Sequence, residues 1–220
     1  MKILFYALLI CSLYNCAATR IVKPLEAKQW AAGADLGGAI IDFAGAKIPL
    51  PLTSLTAAYG VDSQLTAFGS LHTTALAAGV VQMELGAVRS IFAQDKNGFN
   101  LSAGATANFM VSTWDGKARF YPQLDINAYY TYGAKKRNYV YLGVANWFDL
   151  QAQQAHQQDN KEHWIPNLAL GHTFRTNKMR YTIETRWIAP LSSNQNLVVT
   201  YNGIGNQGSL GLFFSVFRTF

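Results

Sequence analysis

The sequence predicts an all-β fold, a transmembrane antiparallel up-and-down β-barrel of about 10 strands. Three observations predict it. Charged residues make up only 14% of the 220 residues while aromatics reach 13%, whereas an ordinary soluble domain is about one quarter charged. After the N-terminus there is no run of about 18 apolar residues that could form a membrane helix. From Trp30 onward the apolar residues fall instead in short alternating segments divided by turn clusters, the period-2 signature of strands with one apolar face. A membrane barrel turns that face outward and its polar face to the lumen. A periplasmic lipocalin-like barrel shares part of the pattern with the faces reversed.

The N-terminus reads as an export address. Met1-Lys2 is a positive n-region, and Ile3 to Leu13 is a mostly apolar h-region too short to span a bilayer. Residues 1–16 are therefore expected to be a signal peptide and 17–29 a periplasmic tether, with the barrel over 30–220. Cys11 and Cys16 both fall at the end of the leader, which leaves the barrel without a disulfide or thiolate metal site. Leu13-Tyr14-Asn15-Cys16 resembles a lipobox, in which the Cys becomes the acylated N-terminus. Asn15 departs from the small residue usual there, and ordinary cleavage after Ala18 is the alternative. Lipidation at Cys16 would anchor the N-terminus, since each buried CH2 contributes about 0.8 kcal/mol.

Ten strands are expected near 30–38, 52–60, 63–71, 80–93, 99–112, 118–132, 138–151, 163–175, 179–190 and 208–220. The sixth is the clearest. Phe120, Pro122, Leu124, Ile126, Ala128, Tyr130 and Tyr132 share one face, while Arg119, Tyr121, Gln123, Asp125, Asn127, Tyr129 and Thr131 share the other. The fifth and ninth alternate in the same way. Several segments exceed the roughly 9–11 residues that a tilted strand needs to cross a bilayer. Trp114, Tyr130, Tyr132, Tyr139, Trp147, Trp164 and Trp187 crowd the strand ends, as an interfacial girdle requires. The links at 61–62, 94–98, 133–137 and 176–178 are short, and those at 39–51, 72–79, 113–117, 152–162 and 191–207 mostly longer. That alternation matches short periplasmic turns and long external loops.

The last strand carries the most specific motif. Leu212, Phe214, Val216 and Phe220 alternate and end the chain on an aromatic. This resembles the closing strand of bacterial outer-membrane β-barrels, and the resemblance implies that Phe214, Val216 and Phe220 are read by the barrel-insertion machinery. Arg218 departs from the apolar residue usual at its position, where a rim location would let its guanidinium snorkel to the headgroups.

For function, the charges expected in the lumen are Glu84, Arg119, Asp125, Arg180, Glu184 and Arg186. They form either an ion-paired plug or a filter. A 10-stranded barrel excludes a wide channel. His72, His156, His163 and His172 lie in no known catalytic or metal-binding spacing, so no catalytic residue, metal or cofactor is expected. The basic cluster Lys135-Lys136-Arg137 points to lipid headgroups rather than nucleic acid. The sequence thus reads as a non-enzymatic envelope component with a structural or docking role, its partners being outer-membrane lipids and another envelope protein complex. A narrow diffusion channel and a lipid-modifying enzyme are the rival readings.

Overall fold

The computed structural model describes residues 20–93, 98–133, 138–153, 159–195 and 199–220. Cys16, Lys135-Lys136-Arg137 and His156 lie outside the described residues. Eleven strands form in chain order: β1 (Trp30–Phe43), β2 (Ala46–Pro49), β3 (Thr53–Gly60), β4 (Leu65–His72), β5 (Val80–Phe92), β6 (Phe99–Ser112), β7 (Ala118–Tyr132), β8 (Asn138–Phe148), β9 (Trp164–Arg175), β10 (Met179–Ser193) and β11 (Gln207–Thr219), with one short helix, α1 (Thr73–Ala77), after β4.

Every strand from β3 to β11 pairs antiparallel with its neighbour, and β11 returns to pair with β1. Ala31 of β1 thus faces Ala58 of β3 on one side and Thr219 of β11 on the other. Ten strands close the wall, as the alternation predicts. The eleventh, β2, is a local addition. Strand β1 runs on past its expected end, turns at Ala44-Gly45 with φ of 52° and 82°, and folds back so that Ile41 faces Ile48.

The barrel is inside-out. Leu85, Leu124, Ile126, Leu142 and Leu170 stand 53–60% exposed on its outer wall, while Gln82, Glu84, Ser102, Asn108 and Asn127 are at most 1% exposed inside it. Water would penalise that outer belt and lipid would not. Leu142→Arg, midway along β8, is therefore expected to cost about 2–4 kcal/mol in bilayers, as for a charge at the midplane of a membrane barrel. The check is the urea midpoint of folding into lipid vesicles; a change within about 0.5 kcal/mol, usual for a water-facing position, would contradict a lipid-facing wall.

The start of β1 and the end of the chain meet at one end of the barrel, the terminal end, where the Phe220 N–H donates to the Trp30 carbonyl at 2.9 Å. The short links lie at this end and the long ones at the far end. At the far end the loop after β10 joins the β1 extension, through Asp42 N–H to Thr200 O at 3.0 Å and Asn202 N–H to Ile40 O at 2.9 Å. The tight turn between β6 and β7 is held by Asp115, whose carboxyl sits below the usual range because the Ser112 hydroxyl, then the Lys117 backbone, bonds its charged form. Its folded pKa being depressed, this support is present above the usual carboxylate pKa and is lost as pH falls through the folded value.

Two girdle assignments are corrected. Tyr139 is 5% exposed in the lumen against Tyr129 and Tyr141. Trp147 also turns inward, its ring 6.3 Å from that of Tyr121. Both occupy strand ends, but they belong to the lumen-facing parity of β8. Trp164 and Tyr130 do stand outward, and Trp114 is exposed in the β6–β7 turn.

Candidate functional site: a lumen occupied by the N-terminal segment

Registry decides which side chains meet inside the barrel. Hydrogen-bonded neighbours place Tyr129, Tyr141, Gly171, Glu184 and Phe213 on one rung. The next rung holds Asn127, Gly143, Ala169, Arg186 and Gly211. Asp125 lies one rung further toward the far end. Three of the expected lumen charges therefore converge at mid-height.

Glu184 is their hub. It is 2% exposed, accepts a 2.6 Å hydrogen bond from the Tyr141 hydroxyl and is bonded by Arg186 Nε. The Arg186 guanidinium in turn lies 4.0 Å over the Phe213 ring, a cation–π contact that a buried site strengthens. Gly171 makes room for this arrangement. A Cβ there would strike the Tyr141 ring, so only glycine lets that tyrosine lie across β9 to reach the carboxylate.

The other charges sit apart. Glu84 meets His72 Nε2 at 3.0 Å across β4 and β5. Arg119 donates to the Tyr121 hydroxyl at 3.3 Å toward the far end. Arg180 lies near the end that carries the termini, its Nη1 only 3.5 Å from the Lys23 carbonyl. The six form one mid-height cluster and three separate sites, not a single network. His72, facing Glu84 in the lumen, is turned away from the lipid on which a lipid-modifying enzyme would act. His172 faces outward, paired with the Tyr132 hydroxyl. The His163 Nδ1 lies 2.8 Å from the Asp149 carbonyl.

The decisive cation was not among the expected lumen charges. Residues 20–29, expected as part of a tether, run up inside the barrel from the terminal end. Lys28 N–H donates to Gly60 O at 2.7 Å, and Leu25 N–H to Thr66 Oγ1 at 2.7 Å. The Ser102 hydroxyl donates to Val22 O at 2.6 Å. Leu25 is buried with Ala58, Phe68 and Phe217, and Val22 with the three tyrosines Tyr129, Tyr139 and Tyr141. Beyond them Arg20 reaches the mid-height cluster, 3.2 Å from Glu184 and 3.7 Å from Asp125, and bonds Asn127. Its side chain is 7% exposed. Lower down, Glu26 meets Arg175 at 3.2 Å nearer the rim.

Arg20 thus supplies the charge that Asp125 and Glu184 lack from the wall alone, where Arg186 is the one nearby cation. Its fork of donors suits several oxygens at once. Gly143 is the floor beneath it: a Cβ there would overlap Arg20 Nη2 and Asn127 Oδ1. The sequence offered only a faint signal, an arginine between the leader and a proline-containing stretch.

No family model and no curated protein matches the chain. Solved structures do. An outer membrane channel from Pseudomonas putida is similar with TM-score 0.52 at 10% identity, over 93% of this chain and 100% of that one. The NanC porin is similar with TM-score 0.45 at 12% identity, over 86% and 98%. The translocator domain of the autotransporter NalP from Neisseria meningitidis is similar with TM-score 0.42 at 11% identity, over 89% of each. With its closed wall, apolar exterior and polar interior, the chain has the fold of a bacterial outer-membrane β-barrel.

Proposed function

We propose that the protein is a narrow channel for small hydrophilic solutes in the bacterial outer membrane, held shut at rest by residues 20–29. The carrying observation is how that segment is held. Residues 20–29 add no strand to the wall; they are held by single hydrogen bonds, the Arg20 and Glu26 ion pairs and the burial of Val22 and Leu25, contacts that break without unfolding a barrel. Beyond it, buried polar groups line the wall beside two apolar clusters, one of Val80, Met110 and Tyr121 and one of Ala39, Leu52, Ile188 and Phe213. Both amide atoms of Gln82, Asn108 Oδ1 and Gln123 Oε1 are buried with no hydrogen-bond partner among the described residues. Buried amides are normally satisfied, so this lining suits water and solute. A purely structural or docking barrel has no need of it. The terminal end is the periplasmic one in this reading, with the C-terminal strand and its Phe214, Val216 and Phe220 presented to the insertion machinery.

Gly143→Ala tests the reading without removing a charge. The new methyl displaces Arg20 and is expected to convert a barrel that inserts silently into planar bilayers into one with discrete openings, at unchanged heat-modifiable gel mobility. Wild-type-like silence in a folded Gly143→Ala barrel would count against the gate and return the structural or docking reading to first place.

A further inference from the structure

From Tyr121 toward the terminal end, the lumen face of β7 presents acceptor oxygens at three successive positions. Gln123 donates through Nε2 to both Asp125 oxygens, at 2.9 and 3.0 Å, which fixes its amide and leaves Oε1 as the unbonded end. Asp125 follows, then Asn127, whose Oδ1 accepts from Arg20. The stripe continues on β6 at Asn108, a diagonal neighbour of Gln123 and near enough for the two side chains to approach one another. Asn108 Nδ2 donates to the Tyr121 carbonyl at 3.2 Å, so Oδ1 is again the unbonded end, and Glu84 lies directly across on β5. Asn108 is 0% and Gln123 3% exposed, yet neither Asn108 Oδ1 nor Gln123 Oε1 has a hydrogen-bond partner among the described residues. An amide oxygen can only accept, and buried acceptors are normally satisfied. Two of them set between the Glu84 and Asp125 carboxylates call for a donor that carries positive charge.

We infer that this stripe is a path for small cations and that Arg20 is its tethered occupant. The inference rests on the channel reading and names its solute. In the closed lumen the Arg20 guanidinium already takes the acceptors at the lower end of the stripe, Asp125, Asn127 and Glu184. When residues 20–29 withdraw, Arg186 stays bonded to Glu184, while Asp125 keeps the neutral Gln123 amide. Two carboxylates then face one guanidinium at mid-height. The wall's other lumen cations, Arg119, Arg175 and Arg180, stand toward the two ends. Carboxylate and amide oxygens in a narrow passage replace the water that a cation sheds, and the uncompensated charge turns anions away. A guanidinium or ammonium head fits the seat that Arg20 leaves.

The test compares folded Arg20→Ala, which vacates the seat, with Arg20→Ala carrying Asp125→Asn, which neutralises it. Calorimetric titration in detergent with methylguanidinium chloride is expected to show saturable binding to Arg20→Ala. Binding should be weaker by about tenfold or more in wild type, where Arg20 fills the seat, and in the double variant, as for the loss of a charged hydrogen bond. In planar bilayers across a KCl gradient, the reversal potential of Arg20→Ala should show potassium favoured over chloride about fivefold, the preference that a unit charge about 4 Å away gives at the dielectric of water. The double variant should bring the two ions toward parity. Chloride passing as readily as potassium through Arg20→Ala overturns the path, as does a preference that Asp125→Asn leaves unchanged. Absence of methylguanidinium binding to Arg20→Ala overturns the seat and leaves water as the occupant. Failure of the gate shows differently, as an Arg20→Ala barrel that is silent in bilayers; methylguanidinium binding then still decides the seat, so the two ideas fail separately.

Discussion

Replacing Arg20 by Ala is expected to open the barrel. The substitution removes a cation bonded to Glu184 at 3.2 Å, to Asp125 at 3.7 Å and to Asn127, all in a site from which water is largely excluded. Removing one partner of a buried ion pair costs about 3–5 kcal/mol. In this protein the cost falls on the closed state alone, because in the open state Asp125 and Glu184 face water. Taking about 3 kcal/mol and 1.4 kcal/mol per factor of ten, the ratio of open to closed rises roughly 100-fold. Single-channel recording gives the ratio directly. Arg20→Lys should fall between, since an ammonium cannot serve three acceptors with a planar fork. The thermal stability of the wall should hardly move, because none of its ten strand pairings involves residue 20.

Glu184→Gln is expected to loosen the Arg20 seat as well and, unlike Arg20→Ala, to bring a large loss of barrel stability. Glu184 serves Arg186, Tyr141 and Arg20 at once, and the neutral amide leaves Arg186 buried over Phe213 without its counter-charge. About 3–5 kcal/mol should go, read as a lower urea midpoint for unfolding from lipid vesicles. Arg186→Met added to Glu184→Met should restore much of it, because a buried pair replaced as a pair by apolar side chains is often neutral. A midpoint for Glu184→Gln equal to wild type would mean that the cluster is solvated and that the ion pairs contribute little.

The wall was legible because a barrel strand declares itself locally. Parity along β7 put Gln123, Asp125, Asn127 and Tyr129 inside and Leu124, Ile126 and Tyr130 outside, and the structure agrees residue by residue. The links at the two ends also separate by length as expected. Residue type misled where it disagreed with parity: Tyr139 and Trp147 are aromatics at strand ends, yet their position in β8 turns them inward. The extension of β1 was hidden because its partner β2 is only four residues long, and α1 because five residues carry no period.

The seating of residues 20–29 in the lumen was not legible for a different reason. Residues 20–29 have no period and bond to the wall one contact at a time, with partners at Thr66, Ser102, Asn127, Asp125 and Glu184 that registry alone brings together. A short stretch containing Lys23, Pro24 and Glu26 reads as a solvated tether in any sequence. Only the closed wall supplies the surroundings that make Arg20 a counter-ion.

The central claim is that residues 20–29 occupy the lumen and shut it, and a cross-link measures that most directly. Both cysteines of the chain, Cys11 and Cys16, precede Ala18, so cysteines introduced at Val22 and Ser102 face no competing thiol in a chain cleaved after Ala18. The Ser102 hydroxyl lies 2.6 Å from the Val22 carbonyl, within reach of a short reducible thiol cross-linker. In a barrel that also carries Arg20→Ala, the cross-linked protein is expected to be silent in planar bilayers, and reducing the linker to restore openings. Failure of the pair to cross-link, or equal conductance before and after reduction, would contradict it.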